Sequence, residues 1–334
     1  MIDLIPPFNF EQVLLDPWRG AFSADQPATP AGFWIALMGF CVAGACGLVG
    51  NYLMLRRMAL VGDAISHSVL PGIAIAFLIS GSRGSGVMFA GALVAGIVTT
   101  LLIEGIHRNS RIKQDAAIGI AFTSLFALGV ILISVYAGQV DLDQECVLYG
   151  EIGFVPLQSV VTVGHTAIGP AALVRMALVL IATIILIVAF YKELLVTSFD
   201  PALATSLGIS ATVIHYALMC WLSVVVVSAF ESVGAILVIA MLILPGATAS
   251  LLSFRLPAIM GITLLHCAIS SVLGVHLGYW LNCSMAAAMV VMGTALFVLA
   301  WVFSPTQGLL RRFLHRHLTD SPQETPAAAS SPAT

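Results

Sequence analysis

Asp63 and His67 stand four residues apart in Val61-Gly62-Asp63-Ala64-Ile65-Ser66-His67-Ser68-Val69-Leu70-Pro71-Gly72, inside an otherwise apolar run. On a helix that spacing puts both side chains on one face, about one turn from each other. An ionisable residue within a bilayer costs several kcal/mol and faces a bundle interior or a polar pathway. A carboxylate beside an imidazole is a natural pair of ligands for a divalent transition metal. The chemistry suggested is passage of a cation, ahead of any catalysis.

The rest of the chain must place this pair in a membrane. It is 60% hydrophobic and only 9% charged, where a soluble domain carries roughly 25% charged residues. Its 334 residues leave room for about eight to ten spans of roughly 20 residues. Apolar runs separated by charged breaks lie near 32–54, 59–79, 86–106, 116–137, 171–190, 212–230, 233–253, 257–280 and 286–304. The fold class is therefore all-α, a polytopic transmembrane helical bundle of about nine spans. The stretch 152–170 is apolar but broken by glycines, and reads as interfacial, re-entrant or loop. Three regions follow: an extracytoplasmic N-terminal segment 1–31, a transmembrane domain 32–310, and a cytoplasmic basic tail 311–334. The end of that tail, from Thr319, is rich in Pro, Ala and Ser and is expected to be disordered. The first thirty residues lack a basic start and a compact apolar core, so they do not read as a signal peptide.

Nine spans put the termini on opposite sides, and the positive-inside rule orients the chain. With the C-terminus cytoplasmic, the inner segments hold Arg56, Arg57, Arg108, Arg111, Lys113, Lys192, Arg255, Arg311, Arg312 and Arg316, and the outer ones hold Arg19, Arg83 and Arg175. The outer loop 138–151 instead carries Asp141, Asp143, Glu145 and Glu151. Arg56 and Arg57 read most simply as positive-inside anchors.

A P-loop needs Gly-Lys followed by Ser or Thr. The two lysines, Lys113 and Lys192, follow Ile and Tyr, so ATP hydrolysis, if transport uses it, belongs to another polypeptide. None of the six cysteines forms a CxxC; most lie in apolar runs as small packing residues, and Cys146, in a polar loop, is the reactive candidate. In Thr197-Ser198-Phe199-Asp200-Pro201-Ala202-Leu203-Ala204-Thr205-Ser206-Leu207-Gly208-Ile209, Asp200 can cap a helix that Pro201 starts and Gly208 ends. The product is a short helix between spans with an apolar stripe at Leu203 and Leu207. It reads equally as a docking helix for a partner's groove or as a plain connector.

Several motifs in order resemble one family. They are Gly62 to Gly72 as quoted, Asp115-Ala116-Ala117-Ile118-Gly119-Ile120, Ser198-Phe199-Asp200 through Gly208, Ser232-Val233-Gly234-Ala235-Ile236-Leu237-Val238, and Met241-Leu242-Ile243-Leu244-Pro245-Gly246-Ala247-Thr248-Ala249. The chain resembles, over roughly residues 35 to 310, the integral-membrane permease of bacterial ABC importers for manganese, zinc and iron, metal-uptake family 3. Asp141-Leu142-Asp143-Gln144-Glu145-Cys146-Val147-Leu148-Tyr149-Gly150 is similar to the manganese-associated branch. The resemblance implies a type II-like importer permease in the bacterial cytoplasmic (inner) membrane, with its N-terminus outside. It implies two permease chains, identical or sister, two copies of a separate ATPase that binds ATP, and an extracytoplasmic metal-binding protein that delivers the ion. It implies no resident cofactor. Asp63 and His67 match the family's ligands for the transported ion, Mn2+ foremost with Zn2+ and Fe2+ as alternatives. Ser198, Phe199, Asp200, Pro201, Leu203, Ala204, Leu207 and Gly208 match its ATPase-coupling segment.

Two further residues are weaker candidates for the ion. Glu231 falls at the outer end of a span, and His215 at the cytoplasmic start of another. His266 and His276 lie within one span, but their spacing of ten does not place them on one face. Pro71 and Pro245 are expected to kink or break their spans. An ion-coupled secondary carrier would need no docking helix. An intramembrane metalloenzyme would need more ligands per chain, and HExxH is absent.

Overall fold

The computed structural model describes residues 11–18, 30–81, 85–136, 152–163, 166–304 and 308. The helices are α1 (Ala31–Leu55), α2 (Val61–Ser68), α3 (Leu70–Ser80), α4 (Ser85–Asn109), α5 (Gln114–Tyr136), α6 (Ala171–Ala189), α7 (Tyr191–Phe199), α8 (Pro201–Ser206), α9 (Ala211–Leu252), α10 (Leu256–Leu281) and α11 (Met285–Phe303). Eight segments are long and apolar enough to cross a membrane, and a shorter ninth, Leu237–Leu252, accompanies them among the described residues. This is a multi-pass membrane protein of the expected helical class.

Helix α9 explains the short ninth segment. Forty-two residues of straight helix would reach about 63 Å, twice a bilayer core. Gly234, at φ 76° and ψ 169°, is non-helical within it. That backbone region is open to glycine almost alone. Both ends of α9 lie at the same end of the bundle. His215 near its start bonds Arg56 just after α1, and Gly246 near its finish packs against Asn51 and Met54 late in α1. So α9 is a hairpin with arms before and after Gly234. Pro245 sits inside the second arm, where no helical break is found. Pro71 occupies the first turn of α3, and Val69, between α2 and α3, keeps helical angles at φ −67° and ψ −28°, so the helical hydrogen bonding is interrupted there without a change of backbone conformation.

The core runs along α1, whose residues from Cys41 to Leu53 are all buried. Alternating small residues let neighbours approach closely. At Gly50 an added Cβ would collide with the Leu242 carbonyl of α9, and at Gly47 it would meet Thr263 of α10 at 2.9 Å. Buried hydrogen bonds supplement this packing. Asn51 Nδ2 donates to Thr263 Oγ1 at 3.1 Å, Ser68 Oγ bonds Thr99 Oγ1 at 2.6 Å, and Thr100 Oγ1 bonds Ser223 Oγ at 3.1 Å. In hydrocarbon such bonds contribute about 0.6 kcal/mol each. The last two fasten α2 to α4 and α4 to α9.

The ambiguous stretch is not a span. Ile152–Leu157 forms a tight helical turn, and β1 (Val160–Val163) pairs antiparallel with β2 (Thr166–Pro170), shifting register between Val161 and Thr162. The acidic loop 138–151 with Cys146, and the tail from 309, lie outside the described residues. Of the eight Lys and Arg that are described, Arg56, Arg57, Arg108, Arg111, Lys113, Lys192 and Arg255 border the end of the bundle where α1 finishes; Arg175 alone is at the other. Ser304 also reaches that basic end, donating to the Leu251 carbonyl at 2.7 Å. The start of α1 is opposite, where Gly32 packs on Pro17.

Candidate metal pathway and docking segment

Helix α2 is eight residues long, and six of them are buried; the exceptions are Asp63 and His67. The i, i+4 spacing aligns them as anticipated, with His67 Nε2 3.3 Å from Asp63 Oδ1. Their side chains are 37% and 33% exposed, so the pair looks out of the subunit core rather than into it. Phe122 and Phe126 of α5 flank the imidazole, with ring centroids 6.0 and 6.3 Å away. The pair falls within the first seven residues of a twenty-residue span, Val61–Ser80. Among the described residues no three His, Cys, Asp or Glu side chains gather to hold a metal ion. One chain thus supplies one carboxylate and one imidazole here, an incomplete coordination shell.

At the basic end the capped helix forms as its residue types dictate. Asp200 Oδ1 accepts from the amides of Ala202 and Leu203, both at 3.0 Å. Pro201 opens α8, and Gly208 takes φ 81°. The amides of Gly208 and Ile209 return to the carbonyls of Thr205 and Ala204, which closes a Schellman motif. Ala204 is buried, while Phe199, Leu203 and Leu207 are exposed. Leu203 and Leu207, four apart, lie on one side of α8, and Phe199 is separated from them by the extended residue Asp200, at φ −144° and ψ 92°. Ser198 turns inward to Arg56.

His215 is placed among charges rather than in a metal-ready pocket. Arg56 donates through Nε to Ser198 Oγ at 3.1 Å, through Nη2 to Thr197 Oγ1 at 3.0 Å and through Nη1 to His215 Nδ1 at 3.1 Å. Guanidinium only donates, so His215 Nδ1 accepts, and its Nε2–H donates to Glu104 Oε2 at 3.1 Å. Arg108 Nε lies 3.6 Å from the other Glu104 oxygen. Neither ring nitrogen of His215 is open to an ion in this arrangement. Burial pulls the Arg56 guanidinium below its ordinary range, though arginine stays charged. The four residues line a cavity of about 450 Å³ with Arg57, Ser198, Pro201 and Thr212.

Glu231 lies in α9, three residues before Gly234. His266 is buried and its Nε2 has no hydrogen-bond partner; Gly293 stands beside it. His276 is used in packing: its Nδ1–H donates to the Val13 carbonyl at 2.8 Å and its Nε2 accepts from Trp18 Nε1 at 3.4 Å. Glu104 is not among the residues that the sequence singles out, and Arg56 is more than the positive-inside anchor its position suggests. The signal was present, since Glu104 is the only carboxylate in the run 86–106, and an intramembrane acid asks for a partner.

A multi-pass helical bundle with an ionisable pair in one span and a capped helix between two others is the architecture of a membrane permease, and the family match agrees. The sequence profile described as the ABC 3 transport family matches residues 31–304, and the chain belongs to that family. It is 46% identical over 281 residues to the manganese transport system membrane protein MntD of Bacillus subtilis, covering 84% of this chain and 95% of that protein. It is 44% identical over 280 residues to the zinc transport system membrane protein TroD of Treponema pallidum, covering 84% and 76%. Among solved structures it resembles PsaBC from Streptococcus pneumoniae in complex with Fab, at 36% identity and a TM-score of 0.69 over 85% of this chain and 95% of that one.

Proposed function

We propose that this chain is the permease of an ATP-driven manganese importer in the bacterial inner membrane, and that Asp63 and His67 bind the ion in transit. The observation that carries the reading is the outward aim of α2's two ionisable side chains. A half-exposed carboxylate and imidazole in a span must be covered by something polar. A second permease chain related by a two-fold axis covers them with their own equivalents, giving two carboxylates and two imidazoles. That set suits Mn(II), Zn(II) or Fe(II), and supports manganese through the similarity to MntD. Ligand type alone favours zinc over manganese, so geometry and delivery select. Zinc is the second reading, supported by the similarity to TroD.

The segment Ser198 to Gly208 docks a separate ATPase through Phe199, Leu203 and Leu207. The basic end is cytoplasmic. The acidic residues of 138–151 meet the metal-delivering protein outside and concentrate cations by their negative potential. The test is manganese uptake in a deletion strain carrying Asp63→Ala or His67→Ala at wild-type membrane levels, with cellular manganese, zinc and iron measured. Each substitution abolishes uptake of the transported metal and leaves insertion intact. Wild-type uptake by a well-expressed Asp63→Ala protein rejects the site.

A further inference from the structure

We propose that Arg56 is a positioning residue, a strut that links the docking segment to the turn from which the Asp63/His67 helix begins. This rests on the reading of α7–α8 as the ATPase contact.

Arg56 caps α1, and Arg57 follows in the left-handed region at φ 59°. The amides of Arg57 and Met58 return to the carbonyls of Met54 and Leu53. This is a Schellman closure with arginine where glycine is usual, so the turn is tight and holds Arg56 in a fixed direction. Val61 starts α2 five residues later, and Asp63 is two residues further. Arg56 therefore sits at the root of α2, and a displacement of its Cα moves the start of that helix.

The guanidinium reaches the other way. Two of its three bonds go to Thr197 and Ser198, the last turn of α7, and Asp200 caps α8 directly afterwards. A planar fork making several directed bonds fixes orientation in a way that an ammonium on a flexible stem does not. The third bond, through His215 to Glu104, braces the guanidinium against α9 and α4. Glu104 meets Arg108 as well as His215, so it joins the Arg56 chain of bonds only through the imidazole. Among the described residues no other hydrogen bond joins α7–α8 to residues 56–61. The cavity beside this fork, lined by Arg56, Ser198, Pro201 and Thr212, leaves the docking segment room to shift as a unit.

The test uses the permease purified with its ATPase and reconstituted in liposomes, with manganese(II) as the probe ion and both ion uptake and ATP hydrolysis measured. The readout is ions moved per ATP hydrolysed, which a loss of folded protein does not change. Arg56→Ala lowers that ratio about tenfold or more. Arg56→Lys keeps the charge but not the fork, and lowers it about threefold. A wild-type ratio in Arg56→Ala overturns the proposal. If Arg56→Ala does not accumulate, Arg56→Lys decides in the same way: a wild-type ratio overturns the strut, and a reduced ratio supports it. The same liposomes test the parent reading separately. Leu203→Asp that leaves both ATPase binding and stimulated hydrolysis intact removes α8 as the contact, whatever the Arg56 variants do.

Discussion

Gly72 of α3 and Gly91 of α4 pack backbone against backbone, each so close that a Cβ on either would strike the other's carbonyl oxygen. The contact sits three residues beyond Val69, so it fixes where α3 lies and, through the continuous span, where α2 carries Asp63 and His67. Packing this tight is how helices associate in lipid, where apolar burial offers little discrimination between helix and solvent. Gly91→Ala is therefore an overpacking change, expected to cost about 1–3 kcal/mol. Gly86 lies in the same helix with nothing near its missing Cβ, so Gly86→Ala is the control. Thermal unfolding in detergent should show Gly91→Ala melting several degrees lower while Gly86→Ala is unchanged. Equal melting temperatures would mean that α3 and α4 do not meet as described.

Residue types foretold some of this architecture and not the rest. The capped helix was legible because Asp200, Pro201 and Gly208 act locally: a cap, a fixed φ and a left-handed residue need no tertiary context. Asp63 and His67 were legible because polarity is conspicuous in an apolar run. The two arms of α9 were legible as the apolar runs 212–230 and 233–253, and Gly234, at φ 76°, marks the turn between them. The partners of Arg56 were hidden, because Ser198, His215 and Glu104 come from three segments, the farthest 159 residues away. Hydropathy reports which residues avoid lipid, and it is silent on which of them meet. The stretch 152–170 mixed apolar residues with glycines, and only the pairing of β1 with β2 resolves it into a surface hairpin.

Phe199, Leu203 and Leu207 are exposed around α8 at the basic end, an apolar patch of the kind that marks an interaction surface. Leu203→Asp puts a charge in the middle of that patch. Ala204 carries the buried contact of α8, so the substitution leaves the helix seated. The ATPase should then co-purify poorly or hydrolyse ATP without transport, with manganese uptake reduced at least tenfold. Affinity purification followed by hydrolysis and uptake assays checks this. Survival of both co-purification and stimulated hydrolysis would make α8 a plain connector.

Sidedness is the last prediction, and it has two independent supports. Seven of the eight described basic residues border one end of the bundle, which the positive-inside rule makes cytoplasmic. The start of α1 and Ser304 lie at opposite ends, as an odd number of crossings requires, so the short arm Leu237–Leu252 counts as a crossing despite its length. Together these predict an N-terminus outside and a C-terminus inside. Residue 143, between α5 and the turn at Ile152, is then outside, and Ser110, just after α4, is inside. In a background with all six cysteines replaced, Asp143→Cys should react with a membrane-impermeant maleimide in intact cells. Ser110→Cys should react only after permeabilisation. The reverse pattern would invert the protein, moving Arg56 and the Asp200-capped helix away from the compartment that holds ATP. Labelling of both positions from outside would instead remove one crossing between α4 and residue 143.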